Sequence, residues 1–133
     1  MAVILDTGVI IAGERGSLDL ERWLATMPDE DFETSAITVA ELWHGVERAT
    51  AAYRAKRQLY IESALSVLQV IPFTEQIARE HARLWAELES RGRMIGDYDL
   101  IVASTALERG SAVATFNVRH FSAVPGLKVI QPT

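Results

Sequence analysis

No cysteine occurs among the 133 residues. That excludes disulfides and thiolate metal sites and fits a reducing compartment. The three histidines, His44, His81 and His120, lack the paired spacing of a zinc motif. No apolar run approaches the roughly 20 residues needed to span a bilayer. The run Ala2-Val3-Ile4-Leu5 is too short for a signal-peptide core and has no basic leader, so cytoplasm is the expected location. There is no glycine-rich phosphate loop, no Gly-x-Ser-x-Gly elbow and no dinucleotide fingerprint. Bases are also in deficit, 13 against 18 acids, for a net charge of −5. Taken alone, that deficit argues against nucleic-acid binding, which draws its affinity from neutralised phosphates. Acids gathered around a divalent cation would reverse the local sign, so net charge does not decide the matter.

What remains is an ordinary globular composition, 49% hydrophobic and 23% charged, without repeat, linker or low-complexity tract. The length suits one domain over residues 1–133 with one real core. Met1 to Leu5 reads as a buried strand, and Asp6-Thr7-Gly8 as the turn after it. Further strands are expected at Asp31–Ser35, Leu68–Ile71, Ser111–Phe116 and Leu127–Ile130. Between them, helical spacing of apolar residues covers Ser17–Met27, Thr38–Arg48, Ala51–Val67, Thr74–Arg91 and about Asp97–Arg109, with Gly110 as a C-cap. Short strands alternating with helices predict a parallel sheet covered on both faces, a three-layer α/β domain. In such sheets the site lies beyond the carboxyl ends of the strands. Asp6 falls just past strand one and Asn117 just past strand four.

The most informative stretch runs from Met94 to Leu107, where Ile95-Gly96 leads into a helix with Asp97 and Asp99 in its first turn and an almost wholly apolar body. Such a helix is buried on most sides, which sets its acids at the edge of the core. Asp97 suits the N-cap, leaving Asp99 inside the first turn as the metal ligand. Asp6 has two readings, a site carboxylate or an Asx-turn accepting the Gly8 amide. Glu41 also has two, a site acid in a first helical turn or the glutamate of the capping box Thr38-Val39-Ala40-Glu41. Asn117 is either a turn residue or a neutral oxygen donor holding a metal-bound water. His81, Trp43 and Trp85 read as packed core residues. If Asp6, Glu41 and Asp99 meet, a carboxylate-only cluster prefers hard cations, Mg²⁺ or Mn²⁺, over zinc. Arg91, Arg93 and Arg119 are candidates for gripping a phosphate backbone, against a reading as solvated surface.

Four segments together resemble a known family. They are Val3-Ile4-Leu5-Asp6-Thr7, Ile37-Thr38-Val39-Ala40-Glu41-Leu42-Trp43-His44-Gly45, Ile95-Gly96-Asp97-Tyr98-Asp99-Leu100-Ile101-Val102-Ala103, and Val113-Ala114-Thr115-Phe116-Asn117-Val118-Arg119-His120-Phe121 with Val124-Pro125-Gly126-Leu127. In this order and spacing they resemble PIN-domain ribonucleases, and more narrowly the VapC toxins of toxin–antitoxin pairs. The resemblance implies a five-stranded parallel sheet of order 3-2-1-4-5 flanked by helices, and Mg²⁺-dependent endonuclease activity on RNA. It further implies inhibition by a small antitoxin and a homodimeric toxin. Asp6, Glu41 and Asp99 match the three acids of the family's metal site. Asn117 stands where many relatives have an aspartate, and Gly8 where relatives often have Ser or Asn.

Two other classes remain as alternatives. A phosphoacceptor module would need an aspartate after strand three and a lysine ending strand five, whereas strand three runs into Pro72 and Lys128 starts strand five. A catalytically weak binding module would keep the fold and lack the fourth acid.

Overall fold

The computed structural model describes residues 1–133. Its elements are β1 (Ala2–Leu5), α1 (Thr7–Arg15), α2 (Leu20–Ala25), β2 (Asp31–Ser35), α3 (Ala36–Arg48), α4 (Ala51–Ser66), β3 (Gln69–Ile71), α5 (Glu75–Ser90), α6 (Asp97–Arg109), β4 (Ala112–Ala114), α7 (Val118–Ser122) and β5 (Val129–Ile130). The five strands form one sheet in the order β3-β2-β1-β4-β5. Every pairing is parallel, with Val3 opposite both Phe32 and Ala112.

Strand residues point alternately to opposite faces, and β1 divides its apolar residues accordingly. Val3 and Leu5 join Ala112, Ala114 and residues of α1 to α4, including Val9, Ile10, Leu42 and Ile61. Ile4 joins Val113 and residues of α5 to α7, including Leu84, Leu88, Leu100, Ala103 and Phe121. Two cores on two faces make the three-layer arrangement. β1 is central, so its carboxyl end meets chain from both halves of the molecule.

Two short helices stand where the sequence showed none. α1 begins directly after β1 with Asp6 as its N-cap, so Asp6-Thr7-Gly8 is a strand-to-helix junction and not an open turn. α7 follows β4 and buries Phe121. The edge strands β3 and β5 are shorter than expected, as is β4, which leaves the ladder at Ala114. On α5 the buried stripe is Ile77, Leu84 and Leu88. Trp85 lies off that stripe, 48% exposed, and its ring meets His81 edge-on at 5.8 Å. His81 in turn meets Phe73 at 5.8 Å. The core reading of Trp85 is therefore corrected, and His81 is half-buried in a surface aromatic row. Trp43 does pack against the core.

In the middle of β2, opposite Ile4, Glu33 is 1% exposed. A buried carboxylate is costly unless fully bonded. Arg109 Nε reaches both its oxygens at 3.1 and 3.2 Å, Arg109 Nη2 bonds it as well, and Ser111 Oγ donates at 3.1 Å. The pairing ties β2 to the end of α6 and raises the Arg109 pKa, chiefly through the Glu33 bond.

Candidate active site

The backbone N–H of Asp6 donates to Ala114 O at 3.0 Å, which seats Asp6 where β1 and β4 part. Its side chain is then fixed by two donors. The amide of Thr7, the first residue of α1, donates to Oδ1 at 2.9 Å. Thr115 Oγ1 donates to Oδ2 at 2.8 Å. The Asx-turn to the Gly8 amide is thus replaced by a cap one residue earlier, because the helix starts at Thr7.

Glu41 arrives from α3. That helix begins at Ala36 with Ser35 as N-cap, its hydroxyl accepting from the Ile37 amide. Thr38 is accordingly inside the helix and wholly buried, and the capping box does not form. Glu41 stands one turn further in than expected. Its Oε1 instead accepts from Thr7 Oγ1 at 2.7 Å, and Thr7 Oγ1 lies 3.3 Å from Thr38 Oγ1.

Asp99 arrives from the first turn of α6. Gly96 occupies the N-cap of this helix without a side-chain bond, so Asp97 is a first-turn residue and not the cap. Asp97 is exposed whereas Asp99 is half-buried. Asp99 Oδ2 accepts from Asn117 Nδ2 at 3.1 Å and lies 3.2 Å from His120 Nδ1. Asn117 is the N-cap residue of α7, its amide held by Thr115 Oγ1 at 2.9 Å. Thr115 therefore organises both Asp6 and Asn117.

Asp6 registers the other two acids electrostatically. Burial pushes its carboxyl pKa up from the ordinary value. The Thr115 bond opposes the rise, and the negative charges of Asp99 and Glu41 add to it. None of the ten ion pairs in the molecule engages Asp6 or Glu41, and Asp99 has only His120. The three carboxylates do not close on one point. Carboxylate oxygens from three elements, with no lysine or arginine paired to them, are donors that could hold a hard divalent cation.

Three hydroxyl and imidazole groups were not anticipated. Thr7 and Thr115 hold the acids, and His120 sits beside Asp99. The Asn117-x-x-His120 spacing, which stacks two side chains on one helical turn, was the available signal. Of the candidate phosphate-gripping bases, Arg91 is bound to Glu87 at 3.1 Å. Arg93 and Arg119 are exposed and take part in no ion pair. A concavity of about 880 Å³ lies elsewhere, between α2 and α4, and is lined by Leu20, Leu24, Phe32, Tyr60 and Ala64 among others. It contains none of the three acids.

A family model described as PIN domain matches residues 3–127. Among curated proteins, ribonuclease VapC1 of Rickettsia felis is 32% identical over 131 residues, covering 98% of this chain and 96% of that protein. The tRNA(fMet)-specific endonuclease VapC of Salmonella typhimurium is 35% identical over 95 residues, covering 71% of this chain and 70% of that protein. Among solved structures, VapBC2 from Rickettsia felis bound to a promoter DNA fragment superposes with a TM-score of 0.91 at 26% identity, covering 98% of each chain. VapBC-5 from Mycobacterium tuberculosis superposes with a TM-score of 0.76 at 35% identity, covering 98% of this chain and 96% of that one.

Proposed function

The chain belongs to the PIN domain family, and from that premise we propose that it is a VapC-type toxin, a metal-dependent endoribonuclease held in check by a VapB-like antitoxin. The observation that carries the reading is that Asp6, at the N-cap of α1, feels the negative charges of Glu41 on α3 and Asp99 on α6, so three acids from separate elements share one neighbourhood. Relatives named as ribonucleases along nearly the whole chain support the activity. Neighbours solved as VapBC assemblies support the partner. No helix is long and apolar enough to cross a membrane, and the expected site of action is the cytoplasm.

Asp6 and Asp99 would hold Mg²⁺, or Mn²⁺, with Glu41 completing or orienting its shell. When bound there, such an ion makes a water acidic enough to attack a phosphodiester and offsets charge on the phosphoryl oxygens. The chain's own groups do the positioning. Thr115 and the Thr7 amide aim the Asp6 carboxylate, Thr7 Oγ1 aims Glu41, and Asn117 holds Asp99. Bonds of this kind, one step removed from the ion, fix ligand orientation before substrate arrives. Arg93 and Arg119 are the unpaired bases assigned to the RNA backbone, which needs cationic contacts on a protein of net charge −5. A homodimer is the proposed assembly of the free toxin.

The test is incubation of antitoxin-free protein with a total RNA pool in Mg²⁺, in EDTA, and in Mg²⁺ with Asp99→Asn. Discrete fragments in the first condition alone are expected. Equal cleavage by the Asn variant would take Asp99 out of the mechanism. No cleavage by folded wild-type protein would favour a binding module.

A further inference from the structure

A smaller cavity, about 150 Å³, opens between α1, α3 and α4, lined by Arg15, Arg48 and Arg57 together with Glu14, Glu41 and Gly45. Glu41 is one of the three site acids, so the cavity adjoins them. On α3, Glu41, Gly45 and Arg48 share one face, being four and three residues apart.

Arg57 is the fixed member of the basic set. Its Nε donates to Glu14 Oε2 at 3.1 Å and its Nη1 to Gly45 O at 3.3 Å. Glu14 is neutralised by that pair, and Arg57 Nη2 is left unbonded. Arg15 and Arg48 are exposed and take part in no ion pair. Each ends its helix, where the dipole favours a cation. That accounts for a base at each end, but not for two helices delivering theirs to one cavity.

Gly45 points the same way. It stands inside α3, where glycine is disfavoured relative to alanine. Its φ is not positive, so no turn requires it. A Cβ at this position would meet no atom within 4 Å, so close packing does not require it either. A side chain there would take up room at the wall of the cavity.

We propose that this cavity is a phosphate subsite, holding a backbone phosphate of the RNA strand beside the phosphodiester that is cut. The proposal rests on the ribonuclease reading and extends it to how the strand is gripped. Guanidinium groups hold phosphate oxygens through paired N–H bonds. The volume is well below the roughly 300–1,000 Å³ of a small-molecule pocket, which suits one phosphate and not a base with its sugar. Such a subsite carries no sequence information, because every nucleotide offers the same group. It sets the register of the strand on the acids.

The test measures binding of a labelled single-stranded RNA to the full-length, partner-free chain in EDTA, by fluorescence anisotropy at several salt concentrations. Arg15→Ala and Arg48→Ala are each expected to lower the slope of log affinity against log salt by about 0.7, which is roughly fivefold in affinity at 0.1 M salt. Gly45→Met, which changes no charge but puts a side chain into the cavity, should weaken binding to a similar extent. Arg79→Ala, on α5 across the sheet and paired with Glu75, should change neither quantity. In Mg²⁺, Arg48→Ala should raise KM with kcat nearly unchanged, since the subsite binds ground state and transition state alike. All the substituted positions are open to solvent or to the cavity, and circular dichroism checks that the variants fold. Wild-type slopes in both arginine variants, or an equal loss in Arg79→Ala, overturn the subsite and leave cleavage in Mg²⁺ to judge the ribonuclease reading. Wild-type protein that neither binds nor cleaves RNA overturns both.

Discussion

Thr7 Oγ1 donates to Glu41 Oε1 at 2.7 Å across 34 residues of sequence. The bond links the first residue of α1 to the second turn of α3, so one hydroxyl sets the direction of a site carboxylate from a different helix. Replacing it with a methyl group should leave the packing nearly intact and free the carboxylate to swing. Thr7→Val is expected to lower kcat/KM by roughly 10- to 100-fold, the range for groups that orient metal ligands. Thr7→Ser, which keeps the hydroxyl, should recover most of it. Steady-state cleavage of a labelled RNA, with melting curves as the folding control, reads both.

Asp99→Asn removes a charge from the site without changing its shape. Its activity in Mg²⁺ is expected to fall on the order of 100-fold or more, since the ion loses a charged ligand. Stability of the cation-free protein should not drop. A variant that melts earlier and cleaves normally would mean that Asp99 is structural.

The raised pKa of Asp6 gives the pH dependence of the cation-free protein its sign. In the folded state the carboxyl holds its proton to higher pH than in the unfolded chain, where the ordinary value is 3.8. The stability it contributes is present below that value and is lost as pH rises through the raised one. Denaturation in EDTA should therefore show a fall over this interval, and Asp6→Asn should flatten it.

The proposed divalent cation would compete with the proton for that carboxylate, so cation stabilisation should grow in the opposite sense. At 100 times its dissociation constant a ligand adds about 2.7 kcal/mol. Mg²⁺ is expected to approach that at pH 7.5 and to add less at pH 4.5. Chelation at pH 7.5 should lower Tm. Equal shifts at both pH values would place the bound ion away from Asp6.

The Glu33–Arg109 pair makes no hydrogen bond to Asp6, Glu41 or Asp99 and bears on stability. Arg109→Ala leaves a carboxylate that is 1% exposed with Ser111 as its remaining side-chain donor. Breaking one side of such a pair costs about 3–5 kcal/mol. Urea denaturation should show that loss. The double change Glu33→Leu with Arg109→Met should regain most of it, because no charge is then buried.

How much of this the sequence made legible depended on how local each signal was. The strand Ala2–Leu5 and the helices α5 and α6 were visible because apolar runs, three-and-four spacing and Gly110 are signals within a few residues. α1 was hidden because Thr7-Gly8 reads as a turn and Gly13 interrupts the apolar pattern. Gly13 is there for packing: a Cβ at that position would lie 2.3 Å from the Tyr60 hydroxyl and 3.0 Å from Leu20 Cβ. Thr38 imitated a cap because nothing in the sequence says that Ser35 starts α3 three residues sooner. The three acids could be singled out by motif, but the groups that hold them could not. Bonds spanning 34 and 109 residues leave no periodic trace.

The last of those bonds sets how late in synthesis the proposed site can be completed. Thr115 is made 109 residues after its partner Asp6, with Asn117 and His120 behind it. At about 5–20 residues per second a ribosome needs roughly 5–20 s to cover that interval. Throughout it, the growing chain carries Asp6 without the hydroxyl that fixes it. Interrupted translation, or a premature stop anywhere before β4, therefore releases a fragment with no assembled site. For a chain proposed to cut RNA, this delay protects the message and the ribosome that are making it.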